Sequence, residues 1–214
     1  MRRTAFLFDL DGVLIDSERE YTRIWNEIEK EFPTGKENFA LSIKGQTLSK
    51  ILDDNYPDPE TREKVTLKLH FLEKQMKYEY CKGAEELLDT LKKEKRKTAV
   101  VTSSDEVKMA HLYSDIPDFR EKVEVIIDAS KVKKSKPDPE GYLKGAEALE
   151  AEINRSIVFE DSVQGVKAGR AAGAVVVGIL GTKTREELAP YSDLVLENLG
   201  ELDLMELLKK VQER

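Results

Sequence analysis

The sequence predicts an α/β protein with a doubly wound, parallel, Rossmann-like sheet and an inserted helical cap. Three observations lead there. Short β-rich runs recur along the chain, and most are apolar throughout instead of alternating, as in strands covered on both faces. Helical segments lie between those runs, and strand–helix alternation of this kind means parallel strands joined by crossover helices. Between Ser17 and Tyr80 the alternation stops and no convincing strand is found, so a helical module interrupts the sheet early.

In chain order, the predicted strands are TAFLF (4–8), TAVVT (98–102), VEVII (123–127), SIVFE (156–160), AVVVGI (174–179) and DLVL (193–196). In the inserted region, EREYTRIWNEIEKEF (18–32) carries Tyr21, Ile24, Trp25, Ile28 and Phe32 at helical spacing. LSKILDDNY (48–56) and ETREKVTLKLHFLEKQMKYEY (60–80) also read as helices. Beyond the insert, AEELLDTLKKEK (84–95) is amphipathic. PEGYLKGAEALEA (139–151) opens with Asp138 as its expected N-cap and Pro139 in the first turn. VQGVKAGRAAG (163–173) is rich in small residues that fit close packing on a sheet, with Ser162 as its expected N-cap. ELDLMELLKKV (201–211) closes the series. The expected division is an α/β core of residues 1–16 and 83–214 and a helical cap of residues 17–82, with hinges near 14–17 and 79–83.

Composition narrows the function. The 214 residues are 40% hydrophobic and 36% charged, with only 7 Pro and 12 Gly, an ordinary globular balance. Net charge is −7 and no long Lys/Arg stripe exists, which argues against nucleic-acid binding. No stretch approaches the ~20 apolar residues of a membrane span, and the opening MRRTAFLFDLD is broken by Asp9 too early for a signal peptide. The one cysteine, Cys81, forms no internal disulfide and reads as passive, so a reducing cytoplasm is expected. His70 and His111 sit in no motif and read as structural or surface residues.

The chemistry gathers where the predicted strands end. Asp9 and Asp11 follow the first strand; Thr102, Ser103 and Ser104 follow TAVV; Lys136 precedes the helix at 139; Glu160 and Asp161 follow SIVF. In a doubly wound sheet these carboxyl ends share one crevice, where ligands bind. Crowded carboxylates are costly unless a cation offsets them, and an oxygen-only set without His or Cys points to a hard divalent ion, Mg²⁺ first. Thr102 and Lys136 add a hydrogen bond and a positive charge. The helix after Ser103 adds free N–H groups, and metal, lysine and helix N-terminus together are what a phosphoryl group needs.

Asp9-Leu-Asp11-Gly12, Thr102 after an apolar strand, Lys136-Pro137 and Glu160-Asp161-Ser162 resemble the four motifs of the haloacid dehalogenase superfamily. The helical insert resembles the C1 cap of its β-phosphoglucomutase-like branch, and the resemblance spans essentially the whole chain. It implies Asp9 as the nucleophile that forms an aspartyl-phosphate, and Asp11 as general acid and then base. It implies Mg²⁺ held by Asp9, the backbone carbonyl of Asp11, Asp161 and, directly or through water, Glu160. Thr102, Ser103 and Lys136 would hold the phosphoryl group, with Lys136 also restraining Asp9. In the cap, Lys44, Gly45 and Gln46 fall in a loop where related caps contact substrate; Tyr21 and Trp25 are further candidates, although Trp25 fits core packing better.

Asp11 argues against a dehalogenase or phosphonatase. β-Phosphoglucomutases carry a histidine where this chain has Tyr21 and an arginine near Leu48, while Trp25, Lys44 and Gly45 are kept. The expectation is therefore a Mg²⁺-dependent phosphatase of a small sugar or polyol phosphate, monomeric, with a sugar phosphomutase as the alternative. A phosphoacceptor receiver or a pseudo-enzyme is the non-catalytic alternative; the insert speaks against the first and the intact motifs against the second.

Overall fold

The computed structural model describes residues 4–181 and 183–212. Six parallel strands form one sheet: β1 (Ala5–Phe8), β2 (Lys97–Val101), β3 (Val125–Ile127), β4 (Ile157–Glu160), β5 (Val175–Ile179) and β6 (Leu194–Leu196). Their order across the sheet is β3-β2-β1-β4-β5-β6, so the winding reverses between β1 and β4. A doubly wound sheet opens its crevice at that reversal. Phe8, the last residue of β1, is in register with Val100 on one side and Phe159 on the other.

The runs are apolar throughout because both faces are covered. Leu7, Ala99, Val101 and Val158 pack on one face against α8 (Glu140–Ala148) and α9 (Val163–Ala172), through Tyr142, Ala146, Ala168 and Ala172. Phe6, Phe8, Val100, Phe159 and Val177 face the other side, towards α5 (Ala84–Lys93), α6 (Glu106–Asp115) and α11 (Leu204–Gln212). Phe8 and Phe159 stack at 4.7 Å across the β1–β4 junction. The short helices α7 (Phe119–Lys122) and α10 (Arg185–Leu188) complete the core.

The insert between β1 and α5 is helical, as the sequence predicts: α1 (Glu18–Glu31), α2 (Phe39–Ser42), α3 (Leu48–Asn55) and α4 (Pro59–Glu73). Thr47 caps α3 by accepting from the Lys50 N–H. Asp58 caps α4 by accepting from the Thr61 N–H, with Pro59 at the first helical position. Ile24, Trp25 and Ile28 of α1 bury with Phe39, Ile51, Val65, Leu69 and Leu72, in one cluster continuous with Phe8 and Val100 of the sheet. The two connectors to the sheet pair with each other. Ile15 bridges Tyr80 antiparallel, the Asp16 N–H bonds the Glu79 carbonyl, and the Cys81 N–H bonds the Leu14 carbonyl.

Three expectations need correction. The helix expected over 60–80 ends at Glu73, because Met76 and Tyr78 then bury on alternate residues, an extended pattern that leads into the Ile15 bridge. Asp138 is not the N-cap of α8: that position is Pro139, and Asp138 accepts from the Glu140 N–H one residue further on. The last helix starts at Leu204, not Glu201, after a short 3₁₀ turn at Leu199–Glu201. Among the described residues no helix is long and apolar enough to cross a membrane.

Candidate active site

β1 ends at Phe8, and Asp9 follows directly, its N–H tied to the Phe159 carbonyl of β4. This places the Asp9 carboxylate at the sheet's reversal, almost fully buried. Lys136 reaches it from the loop before α8: its ammonium donates to Asp9 Oδ1 at 2.6 Å, to Glu160 Oε1 at 2.5 Å and to the Val101 carbonyl at 3.1 Å. Glu160 ends β4 with no exposed surface. Its Oε1 also accepts from the Tyr142 hydroxyl at 2.6 Å, while its Oε2 accepts from the Ser162 N–H and hydroxyl. Gly165, in the first turn of α9, makes room for this carboxylate: a Cβ there would lie 1.8 Å from the Glu160 carboxyl carbon.

The charges explain one another. Burial, then Glu160, push the Asp9 carboxyl above its ordinary range, Asp11 adds to this, and Lys136 opposes it. Burial works against the Lys136 charge, but Asp9 and Glu160 outweigh it and hold the ammonium above the usual lysine range. Asp9, Glu160 and Asp161 offer carboxylate oxygens that all lie within 4.8 Å of one another, and all three residues are buried. One lysine cannot offset three carboxylates, so the donor set fits a hard divalent cation. Both Glu160 oxygens are already committed to Lys136, Tyr142 and Ser162. Asp9 and Asp161 therefore fit direct ligation better, with Glu160 as the anchor that holds Lys136 in place.

Asp11 stands apart from that trio. Its carboxylate accepts from Ser17, from the Ser104 hydroxyl at 3.2 Å and from the Lys108 ammonium at 2.6 Å. Ser104 is aligned in turn by Thr102, whose hydroxyl donates to Ser104 Oγ at 2.9 Å. Asp9 and Asp11 open on a cavity of about 100 Å³ between core and insert. Asp161 and Ser103 line it from the core; Tyr21, Trp25, Lys44, Gly45 and Gln46 line it from the insert. Ser103 ties the two halves together by donating to the Gly45 carbonyl at 2.9 Å. Gly45 has φ of 76°, and a Cβ on it would meet Ser162 Oγ at 2.9 Å, so the loop presses on the core. Thr102 and Lys136 do not line this cavity but sit behind it. Trp25 is both core and wall: it packs edge-on against Phe39 and still borders the cavity.

Two residues were missing from the sequence reading. Lys108, in the first turn of α6, pairs with Asp11 and lies 3.9 Å from the centre of the Tyr21 ring. A cation in a helix's first turn opposes the macrodipole, and that local conflict was the available signal. Glu73, the last residue of α4, accepts from the Tyr21 hydroxyl at 2.7 Å and lines the cavity. Burial, then Glu73, keep the Tyr21 phenol protonated far above its usual range, so it is a donor. His70 is a further link between the halves, 3.1 Å from Asp105, the N-cap of α6.

Fold and site together define a capped hydrolase of phosphoric monoesters. The profile of the haloacid dehalogenase-like hydrolases matches residues 6–179, and the chain belongs to that family. It is 33% identical to glycerol-1-phosphate phosphohydrolase 1 of Saccharomyces cerevisiae, over 92% of this chain and 83% of that one. It is 30% identical to hexitol phosphatase A of Escherichia coli, over 94% of each. β-Phosphoglucomutase from Clostridium difficile shares the fold, with a TM-score of 0.81 at 24% identity over 99% of this chain and 98% of that one. Within the family the chain is a β-phosphoglucomutase-like member.

Proposed function

We propose that this chain is a Mg²⁺-dependent phosphatase that hydrolyses a small sugar or polyol phosphate through an aspartyl-phosphate on Asp9. The observation that carries this reading is Asp9 itself: one carboxylate oxygen is held by Lys136 at 2.6 Å, beside Asp161 and at the mouth of the cavity. A nucleophile fixed by one oxygen presents the other to phosphorus. Asp11, supported by Ser104, Ser17 and Lys108, gives its proton to the departing alcohol oxygen and then takes one from the attacking water. Asp9 and Asp161 would hold Mg²⁺, which would offset the negative charge of the phosphoryl group. Lys136 orients Asp9 and opposes the burial that disfavours its charge. The insert closes over the cavity through Ser103 and Gly45, which excludes bulk water and positions the substrate's alcohol portion.

The names of the relatives support the substrate class: a glycerol phosphate and a hexitol phosphatase. Tyr21 and Leu48 line the cavity at the positions where the resemblance gives mutases a histidine and an arginine, which favours simple hydrolysis. The test is phosphate release from a panel of sugar and polyol phosphates, with and without Mg²⁺, beside conversion of β-glucose 1-phosphate to glucose 6-phosphate. Metal-dependent release that disappears in Asp9→Asn, together with loss of acid-stable phosphoenzyme, is the expected result. Isomerisation without net release would make the chain a mutase.

A further inference from the structure

One helix of the insert carries apolar side chains on two faces. Val65, Leu69 and Leu72 of α4 point into the protein and are buried. Leu67 and Phe71 lie on the opposite side and are 63% and 61% exposed. A third exposed hydrophobic residue adjoins them. Val107 of α6, 43% exposed, borders the groove that His70 and Lys74 of α4 form with α6, and that groove exposes almost only apolar surface. Single apolar residues on a surface are ordinary, but a helix with apolar residues on opposite faces is built to be covered on both.

The charges around Leu67 and Phe71 define what covers them. On the edge of the face beside α1, Lys68 is paired with Glu27 and Glu31. Lys64 is paired with Glu60, one turn before it. The edge beside α6 is different. Glu63 and Lys74 are both exposed, and neither is in an ion pair among the described residues. Glu106 borders the same groove as Lys74 but does not pair with it. Glu63 and Lys74 are three helical turns apart, so they share one edge, about 16 Å from each other, with Leu67 and Phe71 between them. An acid, two apolar residues and a base, in that order, complement the same series reversed. Laid antiparallel on a second α4, Leu67 of one chain meets Phe71 of the other and Glu63 meets Lys74, each contact made twice by the two-fold axis.

We propose that this face is a homodimer interface: two copies of the chain pack α4 antiparallel on α4, with Leu67 and Phe71 at the centre and a Glu63–Lys74 pair at each end. Val107 brings α6 into the same contact, so the partner rests on insert and core together. None of these residues lines the active-site cavity, and the dimer adds no group to the chemistry. The chain is then a dimer in place of the monomer expected from its sequence.

Sedimentation velocity of the full chain from about 0.5 to about 100 μM reads the assembly state. The wild type should reach twice the 24.3 kDa chain mass in the upper part of that range. Leu67→Glu should leave a monomer throughout. Glu63→Lys and Lys74→Glu should each raise the dimer dissociation constant about tenfold or more, because like charges then face each other at both ends. The double variant Glu63→Lys/Lys74→Glu should return it to within about threefold of wild type. The reversals change exposed positions, so they keep the test independent of how Leu67→Glu folds. A wild type that stays monomeric through the range overturns the proposal and leaves the face to a different protein. A dimer that survives Leu67→Glu, in a protein with wild-type circular dichroism and Tm, overturns it by placing the interface elsewhere. Single reversals without effect, or a double reversal as weak as the singles, overturn the antiparallel pairing and the proposal with it.

Discussion

Adding one methyl group at Gly165 should disable the site from behind. The new Cβ would lie 1.8 Å from the Glu160 carboxyl carbon and Oε1, and 2.0 Å from Oε2, where ordinary contact begins at 3.4 Å. The carboxylate must then move by more than an ångström. It cannot do so freely, because Lys136 holds it at 2.5 Å, Tyr142 at 2.6 Å and the Ser162 hydroxyl at 3.0 Å. Breaking one member of a buried charged set costs ~3–5 kcal/mol. Replacing a helical glycine with alanine returns at most about 1 kcal/mol. The net loss is about 2–4 kcal/mol, which for a chain of this length lowers Tm by roughly 5–15 °C. Thermal and denaturant unfolding of Gly165→Ala would read this, and phosphatase activity should fall with it, since Lys136 loses its anchor. The decisive comparison is the same change in a Glu160→Ala background. There the clash is gone, so Gly165→Ala should cost nothing and gain up to ~1 kcal/mol. Equal destabilisation in both backgrounds would show that the clash with Glu160 is not the cause.

Three further outcomes are expected. Lys108→Met removes the cation that fixes Asp11 at 2.6 Å and should lower kcat by about 10–100-fold with a folded protein, measured on p-nitrophenyl phosphate. Asp161→Asn withdraws one carboxylate from the acidic trio and should raise the half-saturating Mg²⁺ concentration by about tenfold or more in a metal titration of activity. Glu140 holds the loop ahead of Lys136: Lys144, then the backbone N–H groups of Lys133 and Lys134, lower its carboxyl from 4.5 to about 2. A lowered value stabilises the fold above the ordinary range and loses that effect as pH falls through about 2. The Tm difference between wild type and Glu140→Gln should accordingly be full at pH 7 and vanish near pH 2.

The sheet was legible because its strands are buried on both faces, which leaves continuous apolar runs such as AFLF and VVVGI. Asp9, Asp11, Thr102, Lys136, Glu160 and Asp161 were legible because chain order and strand ends place them together, whatever the side chains then do. The terminus of α4 was misread because Met76, Tyr78 and Tyr80 continue an apolar density that helical spacing also accommodates; only their strict alternation betrays an extended segment. Lys108 and Glu73 stayed hidden for another reason. Lys108 reaches Asp11 within the core and Tyr21 across the seam with the insert, Glu73 reaches Tyr21 within the insert, and separation along the chain carries no trace of such contacts.

The two connectors of the insert are bonded to each other before they part: Leu14 to Cys81, Asp16 to Glu79, Ile15 beside Tyr80. The chain thus leaves the sheet and returns to it through a single narrow neck. The cavity-facing side chains between those points can change while Asp9, Lys136 and Glu160, all of which lie outside the neck, keep their places. Selection for a new alcohol can act on one side of it while the chemistry of the phosphoryl group stays fixed on the other.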